Sequence, residues 1–98
     1  MKEEKGKIVS EEMQERAESD FVVGMLTSDI FYQLIIRALQ AIYLGWLNSK
    51  STEKREEMYY QQYALRVFVN NLITAVEKSK TVELTIKSQI NKRWSNLT

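Results

Sequence analysis

Proline is absent from this 98-residue chain, and glycine occurs only at positions 6, 24 and 45. Helix interiors tolerate neither residue well, so the scarcity of both predicts an all-α fold. A chain of this length makes one domain and can bury roughly two-thirds of its unfolded surface, enough for one modest core. The one stretch with strand-like alternation, TVELTIK at 81–87, has no second strand to pair with and is assigned to a helix.

Capping residues and apolar spacing divide the chain further. Residues 1–9 are expected to form a flexible arm, with 10–98 a single helical domain. Ser10 is the expected N-cap of a first helix, with Glu11 and Glu12 in its first turn, where carboxylates suit the helix dipole. Met13, Ala17 and Phe21 recur every four residues and mark its expected buried face. Gly24 and the TSD at 27–29 read as a stop and a new cap. A second helix, about 29–48, is apolar almost all round. Its polar residues Asp29, Gln33, Arg37 and Gln40 fall on one narrow stripe at about 100° per residue. The interruptions make it too polar for a membrane span of ~20 apolar residues, so it is expected to be the long central core helix. Such a perimeter exceeds what one small bundle covers, which predicts a dimer or higher oligomer.

NSKST at 48–52 is the clearest loop, with Ser51 or Thr52 capping a third helix. Its expected core face is Met58, Leu65, Phe68, Val69, Leu72 and Val76, close to a heptad seam. KSKT at 78–81 is a weak break, and the third and fourth helices could be continuous. Val82, Ile86, Ile90 and Trp94 then resume the spacing of one helix face. The sum is a small antiparallel bundle of three to four helices.

Catalytic chemistry finds little support. The chain has neither histidine nor cysteine. That removes the commonest general base, the thiol nucleophile, disulfides and the usual zinc ligands. No two glycines lie close enough for a phosphate loop. Glu11, Glu15 and Glu18, and Glu53, Glu56 and Glu57, are paired carboxylates that read as solvated helix faces. No enzyme, metal or cofactor is expected. The N-terminus carries early glutamates and no apolar run, so no signal peptide is read there. A soluble, cytoplasmic protein is expected.

Two surfaces remain as candidates. In EEMYYQQYALRVFVNN, residues 56–71, Tyr59, Tyr63, Arg66 and Asn70 fall together on the side away from Met58, with Tyr60 between the faces. Tyrosine carries an apolar body and a polar tip, so such a ladder either covers a bundle rim or forms a recognition patch. The interface candidates are these four residues together with Ile36, Tyr43, Leu44 and Leu47 of the second helix. The stripe from Asp29 to Gln40 is either that helix's wet edge or a polar seam that sets register. Charge supplies the other surface. Residues 1–26 carry four basic and seven acidic groups, a net −3, whereas residues 61–98 carry six and two, a net +4. Lys80, Lys87, Lys92 and Arg93 would be the phosphate contacts if the basic third bound nucleic acid. The expected function is non-catalytic protein binding with self-association, and the alternative is a nucleic-acid-binding subunit.

Overall fold

A computed structural model describes residues 2–97, with side-chain placement from residue 10 onward. Among the described residues there are four helices and no strand: α1 (Lys2–Thr27), α2 (Asp29–Asn48), α3 (Thr52–Lys78) and α4 (Leu84–Trp94). The all-α expectation holds, and the helices pack against one another as a small bundle.

Each boundary has a local cause. Ser28 leaves the helical conformation, and its Oγ accepts from the Phe31 backbone N–H at 3.2 Å. This caps α2, and Asp29 follows in the first turn. One residue thus separates α1 from α2. Ser51 caps α3 in the same way, accepting from the Lys54 N–H at 3.4 Å. The weak break at KSKT is a real one. α3 stops at Lys78 and turns through Ser79, whose hydroxyl bonds those of Ser19 and Thr81 at 3.0 Å each. Lys87 closes that end. Its Nζ donates to the carbonyls of Glu77 at 3.0 Å and Ser79 at 2.7 Å, groups without partners inside the helix.

Three expectations for α1 are corrected. The helix begins at Lys2, so Ser10 lies inside it and caps nothing. Lysine and glutamate are good helix formers, and a serine ends nothing where the backbone before it can also be helical. Met1 lies outside the described residues. Gly24 does not stop the helix, which continues to Thr27. The face of Met13, Ala17 and Phe21 is exposed, at 68% for Met13 and 69% for Phe21. α1 packs instead through Ser19, Val22, Val23 and Leu26, still in steps of three and four.

Gly24 has a testable consequence. A methyl group added there would meet nothing within 4 Å, and the backbone has no positive φ. Gly24→Ala should therefore stabilise the protein by roughly 0.5–1 kcal/mol through helix propensity alone. For a domain this size that is a rise of several degrees in melting temperature, read by circular dichroism.

The core is small and lies toward one end. Leu26, Ile35, Val69, Ile73, Val76, Ile90, Trp94 and Leu97 are buried, one or more from each helix and one beyond α4. α2 and α3 form an antiparallel hairpin, and α1 and α4 pack near the end opposite the Ser49–Ser51 turn. Trp94 is fully buried, its ring 5.8 Å from that of Phe31 and 5.0 Å from that of Tyr32. Its Nε1 donates to the Leu26 carbonyl at 2.8 Å. That carbonyl belongs to the last turn of α1, where backbone acceptors have no helical donor. α4 thus finishes α1 with a side chain instead of a glycine cap. The molecule measures 64 × 28 × 19 Å.

This distribution corrects the reading of α2 as the core helix. Only Ile35 is buried along it. Enclosing a helix takes neighbours on several sides, and α1 and α4 reach only one end of this one. On α3, Val69, Ile73 and Val76 are buried and Leu65 and Leu72 pack against them. Phe68, placed on that seam, is 48% exposed.

Candidate interaction surface

Away from the core, α2 and α3 lean on each other with no third layer among the described residues. Gly45 lets them approach. A Cβ at that position would lie 3.3 Å from both Sδ and Cε of Met58. The turn is held by Arg55, whose Nε donates to the Ser49 carbonyl at 3.0 Å while its guanidinium lies 5.4 Å from the Trp46 ring centroid. Trp46 in turn stacks with Tyr43, centroids 6.4 Å apart and planes 15° apart. The three-residue step from Tyr43 to Trp46 puts both rings on one side of α2.

Between the helices these residues line a groove of about 250 Å3. Leu39, Ile42, Tyr43 and Trp46 form one wall, and Met58, Tyr59, Gln62 and Arg66 the other. Arg66 is fixed at one end, its Nε donating to Gln62 Oε1 at 2.7 Å and its Nη1 to the Leu97 carbonyl at 2.9 Å. The arrangement offers flat aromatic and thioether surface beside a held guanidinium. Such a surface suits an amphipathic protein segment.

The predicted interface residues divide accordingly. Tyr43, Tyr59 and Arg66 come together at the groove. Tyr59 and Arg66 therefore flank the α2-facing side of α3 instead of standing opposite it. Tyr63 and Asn70 are exposed outside the groove, and Tyr60, at 66%, is the most exposed tyrosine. Leu44 and Leu47 are exposed on α2. Ile36 is partly buried against the core cluster and does not line the groove. Trp46 and Gln62 were missed. The local sign for Trp46 was its spacing from Tyr43 and the arginine just past the following turn.

The basic third is partly spent inside the fold. Arg93 pairs with Asp29, donates to the Thr27 carbonyl at 3.3 Å and stands 4.8 Å from the Tyr32 ring centroid. It ties α4 to the α1–α2 junction. Lys87 caps α3 as described. Lys80 and Lys92 remain exposed, one before α4 and the other in its last turn. Lys92 and Arg93 line one shallow pocket with Asp29 and Gln89. Among the described residues no group of carboxylates gathers closely enough to hold a metal ion.

By length and composition α2 could cross a membrane. Only 6% of that stretch is buried inside the chain, and a span that kept the hairpin intact would take polar groups with it. α3 lies along α2, so Arg37 of α2 and Gln61, Gln62 and Arg66 of α3 would enter the hydrocarbon together. Charged groups cost about 2.5–3.5 kcal/mol each at the centre of a spanning helix.

Comparison with family models, curated proteins and solved structures finds no match. The surfaces described above therefore carry the functional reading.

Proposed function

We propose that this chain is a non-catalytic helical interaction protein that works by binding protein surfaces, including a second copy of itself. The observation that carries this is the amount of apolar side chain left uncovered on one hairpin. Ile30, Leu34, Tyr43, Leu44, Trp46 and Leu47 of α2, and Tyr59, Tyr60, Tyr63 and Phe68 of α3, are all exposed. They lie on more than one face of the hairpin, and apolar surface left open on a monomer in such number marks interaction sites. The residue types agree, since tyrosine, tryptophan and arginine dominate interface hot spots.

Phosphate binding is the weaker reading. Two of its four basic groups already have partners inside the fold. Its test must use Lys80→Glu with Lys92→Glu, because reversing Arg93 would place a carboxylate beside Asp29 and damage the fold.

Light scattering and sedimentation from about 1 to 200 μM test the main reading, a range that brackets weak protein association. A rise in mass with concentration is expected. A monomer throughout the range overturns self-association. If wild type shifts short oligonucleotides at near-physiological salt and the double lysine variant does not, the nucleic-acid reading replaces this one.

A further inference from the structure

The face of α2 turned away from α3 has a regular order. Ile30, Leu34, Arg37, Ala41, Leu44 and Asn48 follow in steps of four, three, four, three and four, and all six are exposed. This is the spacing of a helix-pairing seam, left without a partner among the described residues. We propose that this face pairs antiparallel with α2 of a second copy about a two-fold axis at the level of residue 39, on the side of the helix away from Leu39. The inference rests on the self-association reading and specifies its geometry.

Three features choose this occupant. The spacing reads the same from either end, as a two-fold seam requires. Turned about its midpoint, it sets Leu34 against Leu44 of the second copy, twice, and Ile30 against Asn48. It also sets Arg37, the largest residue of the series, against Ala41, the smallest. Finally, charge selects the direction. Arg37 is the one charged residue between positions 30 and 48. A parallel pair would put the two arginines at one level. The antiparallel pair separates them by about 6 Å along the axis, from a rise of ~1.5 Å per residue. Each aliphatic stem then lies over an alanine while its guanidinium reaches water at the rim.

The remaining repulsion makes this a weak, tunable dimer. A single helix pair is a small interface, and a dissociation constant on the order of 10 μM is expected. Added salt screens the two arginines, so the dimer should tighten as sodium chloride rises. Arg37→Leu should tighten it about tenfold, since it removes the repulsion between the two guanidinium groups and adds apolar contact. Leu34→Glu with Leu44→Glu should weaken it about a hundredfold or more. Both leucines are more than half exposed in the monomer, so the fold should survive, as circular dichroism will show.

The register is read by cross-linking, because the chain has no cysteine of its own. Leu34→Cys and Leu44→Cys chains are mixed and oxidised above the dissociation constant. Fast formation of the 34-to-44 disulfide between different chains, with slow self-linking of either variant, is the expected result. A dimer in which Leu34→Cys links to itself overturns this geometry and leaves the proposed function standing. A monomer at all concentrations overturns both the geometry and self-association. A monomer that binds vesicles of phosphatidylglycerol and phosphatidylcholine overturns both in favour of a lipid surface.

Discussion

Replacing Trp94 by alanine should cost about 3–5 kcal/mol, the range for removing a fully buried large aromatic. Domains of this kind have roughly 5–15 kcal/mol in total, so the variant should be largely unfolded at 37 °C or close to it. The size of the effect follows from position. Trp94 has no exposed surface and touches Phe31 and Tyr32 across the core. It also supplies the donor for the Leu26 carbonyl. Trp94→Phe separates these roles. It keeps a ring but leaves that buried carbonyl without the indole N–H, at a cost of about 1–3 kcal/mol. Urea denaturation followed by ellipticity measures both. An alanine variant as stable as wild type would mean that α4 does not dock as described.

A comparable loss is expected at Ile73, which is 5% exposed beneath the other helices. Ile73→Ala should cost about 2–5 kcal/mol. Phe68→Ala, although it removes more atoms, should cost only about 1 kcal/mol, because half of that ring already lies in water. The contrast tests the register of α3. Equal losses at the two sites would turn the helix by most of a face. The same urea series gives both numbers, and an unchanged slope would show that only stability moved.

These two residues also show what could be read in advance. Scarcity of proline and glycine marked the chain as helical, and the TSD at 27–29 and Ser51 or Thr52 marked two helix starts, where Ser28 and Ser51 supply the capping hydrogen bonds. Val69 and Val76 were placed on the buried side of α3, as were Ile90 and Trp94 on α4. Phe68 was misplaced by the heptad seam that took it with Leu65 and Leu72, while its neighbour Val69 holds the angle that faces the core. On α2 the difficulty was of another kind. Apolar residues lie on nearly every side, so periodicity carries no phase and cannot say which side meets α3. Arg93 was beyond local reading altogether. Its partners Thr27 and Asp29 are 66 and 64 residues away, and no spacing rule joins them.

The candidate surface was legible in residue type more than in arrangement. Tyr43, Tyr59 and Arg66 were singled out for their chemistry, and the fold brings them to one groove. Trp46 completes that groove only because Gly45, next to it, allows α3 to come close enough for Met58 to fill the gap. A close approach of two backbones is a tertiary event, and nothing on either helix alone announces it.

Residues 10–18 of α1 are exposed around the whole circumference of the helix. Their helical state draws on backbone bonds, propensity and local side-chain pairs such as Gln14 with Glu18, without the tertiary packing that gives most helices their stability. This segment should therefore open on its own, at a free energy well below that of global unfolding, as an outer cooperative unit beside the core. Amide protons there should exchange early, while those around Val69 and Ile90 wait for complete unfolding. Total helicity and the folded population are then different quantities, and a sloping pre-transition baseline in a thermal melt reports the first while the second has not yet changed.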